Sequence, residues 1–186
     1  ERGICYAILQ GPTVGDTKVV QGEGVGTFTT LLTGLQLGTT YYVRAYAINE
    51  NGTAYGNEVS FTTDIMEPTV TTAAATGVAY TSATVGGEVT SDGGSEVTEH
   101  GICYSLTSNP TINNEKLALG SGIKAFSTTL ENLQAGTTYY VRAYAINKKG
   151  IAYGEEISFS TTSYTLPLVT INIPATISYT QAVIAG

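Results

Sequence analysis

Apolar and polar residues alternate along several short stretches of this chain, which is the pattern of β-strands that bury one face. Threonine, valine, tyrosine and isoleucine are frequent in these stretches, and turn residues such as glycine separate them. In the clearest stretch, alternation places Tyr41, Val43, Ala45 and Ala47 on one face and Tyr42, Arg44 and Tyr46 on the other. No segment of helical length carries an apolar stripe of helical period. The pattern therefore predicts an all-β chain.

The pattern repeats, because the sequence is built from a unit of about 98 residues. The segment GTTYYVRAYAIN is identical at 38–49 and 136–147. Three further segments recur at nearly the same offset: 2–7 as 100–105, 58–63 as 156–161, and 68–87, in diverged form, as 167–186. With the unit beginning near Ile65, the chain holds one complete unit, preceded by a unit without its beginning and followed by the beginning of another.

The identical segment resembles the strand F signature of fibronectin type III domains, Leu-x-x-Gly-Thr-x-Tyr-x-Val-x-Ala. The signature is matched by Leu35, Gly38, Thr39, Tyr41, Val43 and Ala45, and again by Leu133, Gly136, Thr137, Tyr139, Val141 and Ala143. The segments GICYS and SFTT resemble segments in the tandem units of Bacteroidota surface proteins. The resemblance implies seven-stranded antiparallel immunoglobulin-like sandwiches, with Tyr41 and Tyr139 as corner tyrosines whose hydroxyls bond to nearby backbone. Gly87 stands where the family has a tryptophan, so we expect Phe126 or Tyr139 to fill the core there.

This resemblance divides the chain into three expected pieces. Residues 1–64 form a fibronectin type III-like unit lacking strands A and B, residues 65–163 a complete unit, and residues 164–186 strands A and B of a further unit. Only Asp64 to Glu67 separate the last strand of one unit from Pro68, and four residues span at most about 14 Å. The fold class predicted is therefore tandem all-β sandwiches arranged end to end.

The incomplete units at the two ends have two main explanations, and a third, folding back of the tail within one chain, is made difficult by the rod-like middle unit. The chain is either a window within a longer array whose neighbours complete both ends, or the tail of one chain pairs into the head of the next. The second explanation would generate a filament, because such head-to-tail contacts do not close.

The amino-acid composition argues against several classes of function. Hydrophobic residues make up 42% of the chain and charged residues 12%, so it can bury a core. The net charge is −7 and the eight basic residues are scattered, which argues against binding nucleic acid. No apolar run is long enough to span a membrane. The single histidine, His100, and the two cysteines form no cluster, so we expect no enzyme activity, cofactor or metal.

The candidate surface contacts are the outward residues of the repeated strand, Tyr42, Arg44, Tyr46, Tyr140, Arg142 and Tyr144. They either pair across strands to cover the sheet, or contact a glycan or a partner protein through stacking. Because the stripe is the same in both units, a structural role is favoured. Cys5 and Cys103 occupy equivalent positions of different units, so we expect two free, packed thiols rather than a disulfide.

The sequence thus favours a non-catalytic segment of an extracellular or cell-surface array, a stalk or filament used in adhesion, completed by strand exchange if the second explanation of the ends holds. Its partners would be neighbouring repeat units or identical subunits joined head to tail. The alternative is an accessory module of a larger secreted or surface protein that binds a glycan or a host or cell-surface protein.

Overall fold

The computed structural model describes residues 1–171 and the backbone of 176–177 and 182–183. The regular elements of this part are all strands: β1 (Arg2–Ala7), β2 (Thr17–Val20), β3 (Thr40–Asn49), β4 (Gly52–Tyr55), β5 (Val59–Thr62), β6 (Thr69–Thr76), β7 (Ala83–Ser91), β8 (Glu99–Ser105), β9 (Glu115–Gly120), β10 (Ala125–Leu130), β11 (Thr138–Ile146), β12 (Ile151–Tyr153), β13 (Ile157–Ser160), β14 (Thr176–Ile177) and β15 (Ala182–Val183). An all-β chain is confirmed for these residues. None of them belongs to a helix that could cross a membrane.

Strands β6 to β13 form two antiparallel sheets, and we call residues 69–160 the two-sheet unit. One sheet has the order β10-β7-β6, and the other has the order β12-β11-β8-β9, with β13 also paired to β11. Strand β13 pairs with the first part of β11 and β12 with its last part, so the two short strands act as one interrupted strand. The sheets face each other across a core, as in a β-sandwich.

The core of the two-sheet unit consists of the inward side chains of both sheets. Strand β11 contributes Tyr139, Val141, Ala143 and Ala145, the positions that alternation predicts to face inward. The other core residues are small or branched aliphatics, mainly Ala83, Val85, Val89, Val97, Ile102, Leu130 and Leu133. Small residues on β7 allow the two sheets to approach closely, and one close approach is at a glycine.

Gly87 marks that close approach. A Cβ atom built there would lie 2.6 Å from the Cβ of Ala143 and 3.1 Å from Cζ of Phe126. The ring of Phe126 stacks on His100 at a centroid distance of 4.4 Å. Phe126 therefore occupies the region beside Gly87, one of the two residues expected to do so.

Strands β1 to β5 form a single sheet, which we call the first sheet. Its order, β2-β1-β3-β4 with β5 paired to β3, matches that of β9, β8, β11, β12 and β13. Residues 27–32, which correspond to β10, form no strand. In the two-sheet unit β10 pairs with β7, whereas the described residues provide no strand beside 27–32. Among the described residues, no second sheet therefore faces the first sheet.

The segment between β5 and β6 is hydrogen-bonded to a loop of the first sheet and to a loop of the two-sheet unit. The N–H of Gly38 donates to the carbonyl of Asp64, and the N–H of Met66 donates to the carbonyl of Gly93. A Cβ atom at Gly38 would overlap the carbonyl oxygen of Gly94, so these two loops are in contact. Both glycines have positive φ, 60° and 82°, a conformation that glycine adopts without strain.

Beyond β13, residues 164–171 are exposed. Strands β14 and β15 pair antiparallel, with Thr176 opposite Val183 and Ile177 opposite Ala182. The remaining positions expected to form strands A and B of a further unit, 172–175, 178–181 and 184–186, lie outside the described residues.

Candidate functional site: the tyrosine–arginine face

The stripe predicted as a candidate contact surface lies on the outer side of β3 and β11, and we call it the tyrosine–arginine face. At its centre, Nε of Arg142 donates a hydrogen bond to the carbonyl of Gly154 at 2.9 Å. The guanidinium lies 4.8 Å above the ring of Tyr153. This carbonyl bond and the cation–π contact fix the arginine against its own sheet.

Arg44 repeats this arrangement in the first sheet. Its Nε donates to the carbonyl of Gly56 at 3.1 Å, and its guanidinium lies 4.5 Å above the ring of Tyr55. In both copies the ring under the arginine is itself fixed, because its hydroxyl accepts a backbone N–H, from Val14 to Tyr55 and from Ile112 to Tyr153. The arginines therefore cover the sheet in the same way in both copies.

The exposure expected for Tyr46 and Tyr144 is not found. Tyr144 is fully buried and Tyr46 is 2% exposed. The reason is a glycine on the neighbouring strand: a Cβ atom at Gly101 would lie 3.0 Å from the hydroxyl of Tyr144. Without a side chain there, the tyrosine lies flat across the sheet instead of projecting from it. Gly3 has the same relation to Tyr46.

Each buried tyrosine belongs to a three-residue polar network. The hydroxyl of Tyr144 donates to Oε1 of Glu99 at 2.8 Å, and Nζ of Lys116 bonds the same oxygen at 2.9 Å. The ammonium group also lies 5.7 Å above the tyrosine ring. In the first sheet Tyr46, Glu1 and Lys18 form the same network, with both hydrogen bonds at 2.8 Å.

The electrostatics of these networks favour fixed charge states. The hydrogen bonds from Lys116 and Tyr144 hold the pKa of Glu99 below its usual range. Burial, assisted by the hydrogen bond to Glu1, raises the pKa of Tyr46 to about 12, and burial also raises the pKa of Tyr144. An ionised carboxylate and a neutral phenol thus persist through the neutral range. Such a pair stabilises the sheet and is not poised for proton transfer.

Tyr42 and Tyr140 are the tyrosines of this face that keep partial exposure. Tyr140 lies between two serines, Ser105 on β8 and Ser158 on β13. Tyr42 lies between Ala7 and Ser60. These small neighbours leave the sides of both rings open, so a stacking contact with a partner would involve these two tyrosines.

The two tyrosines expected at the corners bond to backbone five residues upstream. The hydroxyl of Tyr139 accepts a hydrogen bond from the N–H of Gln134 at 2.9 Å. The hydroxyl of Tyr41 accepts one from the N–H of Gln36 at 3.0 Å. Each hydroxyl therefore ties the loop before its strand to the strand itself.

Both cysteines are free and buried. The thiol of Cys103 lies 3.4 Å from the carbonyl oxygens of both Pro110 and Arg142. Burial raises the pKa of the Cys103 thiol to about 11 and also raises that of Cys5. A thiol in this state is a poor nucleophile at neutral pH, so the geometry favours packing over catalysis.

His100 lies at the start of β8. It is fully buried, stacks on Phe126, and has Nδ1 3.2 Å from the carbonyl oxygen of Gly122. Burial lowers the pKa of its imidazole. In the first sheet Arg2 takes the same position, 5.4 Å above the ring of Phe28. Because an arginine replaces the histidine there, the position covers an aromatic ring in both copies.

Two acidic loop residues, Asp16 and Asp92, cap turns. Asp16 accepts from the N–H and hydroxyl of Thr13, and Asp92 accepts from the N–H of Gly94. Within the described residues, no group of three or more histidine, cysteine, aspartate or glutamate side chains converges as a metal site would require.

Sequence reasoning missed Glu99, Lys116 and Tyr153 as parts of this face. A signal for them existed, because the repeat places Glu1, Lys18 and Tyr55 at the equivalent positions. Polar residues that recur at a fixed offset, among neighbours that vary, indicate a shared contact. The distances that join them come only from the fold.

No family model matches this chain. Among solved structures, the chain is similar to the fourth FNIII domain of a human protein, at 21% identity and a TM-score of 0.45, over 59% of this chain and 92% of that one. It is similar to the FN1–FN3 domains of chicken CNTN1, at 19% identity and a TM-score of 0.42, over 87% of this chain and 56% of that one. It is also similar to the sensor domain of the anti-sigma factor RsgI4 of Pseudobacteroides cellulosolvens, at 22% identity and a TM-score of 0.41, over 52% of this chain and 96% of that one.

Proposed function

We propose that this chain is a non-catalytic spacer segment of a tandem array, in which neighbouring units are held end to end. Such an array would serve as a stalk or adhesive shaft at the cell surface or outside the cell. The observation that carries the proposal is the way in which the chain enters and leaves the two-sheet unit.

The chain enters the two-sheet unit beside the last residues of β11, and we call this end of the unit the entry pole. There Nδ2 of Asn147 donates to the carbonyls of Met66 and Asp92, both at 2.7 Å. Asn147 is nearly fully buried, and its Oδ1 accepts from the N–H groups of Lys149 and Gly150. One side chain therefore joins the linker, the loop after β7 and the β11–β12 turn.

The chain leaves at the opposite end of β11, which we call the exit pole. There the N–H of Gly136 donates to the carbonyl of Thr162, and the N–H of Thr162 donates to that of Ala79. The nine residues of β11 separate the two poles by roughly 27 Å. Entry and exit at opposite poles support units that follow one another in a line.

The experiment measures the distance between the first sheet and the two-sheet unit. Cysteines for spin labels are placed at the exposed residues Thr53 and Thr129, while Cys5 and Cys103 are buried and unreactive. Samples are diluted with unlabelled protein, so only distances within one chain are recorded. We expect a narrow distance distribution that broadens in Asn147→Ala.

The matched control is Asn49→Ala. Asn49 stands at the equivalent turn of the first sheet, where its Oδ1 caps the N–H of Asn51 at 2.9 Å. Asn49 is the last residue of β3, whereas the first sheet contacts the linker through Gly38, before β3 begins, so the substitution should leave the distribution unchanged. A broad distribution in the unsubstituted chain would contradict the spacer proposal.

A second function, contact with a glycan or a host or cell-surface protein, is favoured by the open rings of Tyr42 and Tyr140. A glycan array, followed by titration with tyrosine fluorescence as the signal, tests it. Saturable binding that is lost in Tyr42→Ala or Tyr140→Ala would support this function. Binding that survives both substitutions would exclude these rings as the contact.

A further inference from the structure

His100 joins the two sheets of the two-sheet unit near the entry pole. The residue lies on β8, opposite Ala145 of β11, and is fully buried. Its ring stacks on Phe126 of β10, with 4.4 Å between the ring centroids and 17° between the ring planes. Because β8 and β10 belong to different sheets, this stack is a contact between the sheets.

The hydrogen bond of the imidazole determines which nitrogen carries its proton. Nδ1 lies 3.2 Å from the carbonyl oxygen of Gly122, and a carbonyl can only accept, so the neutral ring carries its proton on Nδ1. Nε2 then has the lone pair, and this buried atom has no hydrogen-bond partner in the described part of the chain. Nε2 is therefore the atom at which the ring would take up a second proton.

The surroundings of Nε2 oppose that second proton. A Cβ atom built at Gly120 of β9 would lie 3.4 Å from Nε2 and 3.1 Å from Nζ of Lys124. The ammonium group of Lys124 therefore lies on the same side of the ring as Nε2. A protonated Nε2 would be a buried donor without an acceptor, and it would face a second positive charge.

The carboxylates on the elements around the ring do not compensate such a charge. They belong to Glu88 on β7, Glu96 before β8, Glu99 on β8 and Glu115 on β9. Glu88, Glu96 and Glu115 are exposed. Glu99 points to the opposite side of β8 and is bound to Lys116. Burial lowers the pKa of the imidazole, the bond to Gly122 opposes this in part, and Lys124 adds to the lowering.

The first sheet carries a permanent charge at the equivalent position. Arg2 lies there, 5.4 Å above the ring of Phe28, and its Nη1 donates to the carbonyl of Gly26 at 3.0 Å. A guanidinium remains charged at every pH at which proteins fold. Of the two copies, only the two-sheet unit therefore has a group at this position whose charge changes near neutral pH.

We propose that His100 is an acid-sensitive contact between the two sheets of the two-sheet unit. When Nε2 takes up a proton, the ring separates from residues 121–126, and the sheets part locally at the entry pole. The unfolded chain binds this proton at the ordinary histidine pKa of 6.5, whereas the folded unit resists it. The stabilisation is therefore complete above pH 6.5 and is lost as the pH falls from there towards the lowered folded-state pKa. This property does not depend on the spacer function.

A titration followed by NMR tests the protonation directly. His100 is the single histidine of the chain, so its imidazole signals are identified without further assignment. We expect a pKa below 6.5 in the full chain, and a higher pKa in Lys124→Met, where the exposed ammonium group is removed. A pKa at or above 6.5 in the unsubstituted chain, or a lower pKa in Lys124→Met, would overturn the proposal.

Urea denaturation of the full chain between about pH 8 and about pH 5 tests the consequence for stability. We expect the urea midpoint to fall on acidification in the unsubstituted chain and to stay constant in His100→Phe, whose ring keeps an aromatic stack on Phe126. The matched control is Ile123→Ser, a change at an exposed residue of the same loop, which should behave like the unsubstituted chain.

Hydrogen exchange, corrected for the effect of pH on free amides, locates the change. We expect protection to be lost in residues 121–126 on acidification and retained in β3 of the first sheet. An equal fall of the urea midpoint in His100→Phe, or unchanged protection of residues 121–126, would overturn the proposal. If His100→Phe does not fold, the titration and hydrogen exchange of the unsubstituted chain still decide.

Discussion

At the scale of single residues, Tyr139 and Tyr140 are adjacent in the sequence and differ in their surroundings. The hydroxyl of Tyr139 accepts the N–H of Gln134, whereas the ring of Tyr140 is partly exposed between serines. We expect Tyr139→Phe to lower the free energy of unfolding by about 1–2 kcal/mol, because a partly buried donor loses its partner. Tyr140→Phe should change it by less than about 0.5 kcal/mol. Denaturant titration measures both, and equal losses would contradict the assignment of faces.

The network of Glu99, Lys116 and Tyr144 predicts a pH dependence. The pKa of Glu99 is lowered from its ordinary value of 4.5, so the carboxylate stabilises the fold above that pH. This contribution is lost as the pH falls through the lowered folded-state pKa. We therefore expect Glu99→Gln to have a lower melting temperature than the unsubstituted chain at neutral pH. The two melting curves should converge once the pH is below this lowered folded-state pKa, and a gap that persists under those conditions would contradict this role.

Alternation in the sequence correctly predicted which side chains of β11 face the core. It did not predict that Tyr144, on the outer side, is buried. Period-two alternation assigns a side to each residue, but it carries no information on how the side chain lies on that side. Tyr144 is buried because Gly101 on the next strand leaves room for its ring. The pairing of these two residues depends on strand register, which the local sequence does not give.

At the scale of an element, β7 depends on its glycine. A Cβ atom at Gly87 would lie 2.5 Å from the carbonyl oxygen of Thr71 and 2.6 Å from the Cβ of Ala143. We expect Gly87→Ala to lower the free energy of unfolding by about 1–3 kcal/mol, because the backbone of β6 and β11 must move. Gly15→Ala is the control, since Gly15 is exposed and a Cβ there meets only Oγ1 of Thr13 at 3.4 Å. Equal thermal stability of the two variants would contradict the close packing.

Residues 27–32 and 125–130 show why strand boundaries were less predictable than strand faces. The two segments have nearly the same composition, yet only 125–130 forms a strand. A strand requires a hydrogen-bonded neighbour, and β7 provides one for β10. The tendency of a segment to form a strand therefore depends on whether such a neighbour is present. The sequence repeat relates the two segments, but it does not predict that both form a strand, because it carries no information on the neighbours of each segment.

At the scale of the whole molecule, the poles of the two-sheet unit predict an elongated particle. A compact globule of 186 residues would have a radius of gyration of about 16 Å. We expect small-angle scattering of the chain at low concentration to give a clearly larger value, because the loops of Gly38 and Gly94 join the first sheet to one end of the two-sheet unit. A radius near 16 Å would contradict the end-to-end arrangement.

The positions of the poles would also determine how the proposed array bears mechanical tension. A pull along that array would act on β6 at the entry pole and on β13 at the exit pole, in opposite directions along their axes. The hydrogen bonds of β6 to β7 and of β13 to β11 are then loaded in shear, all together rather than in succession. A unit of this kind resists force until both rows part at once, and then releases up to about 330 Å of chain. An array of such units would lengthen in steps under load, and each step would lower the force that the array transmits.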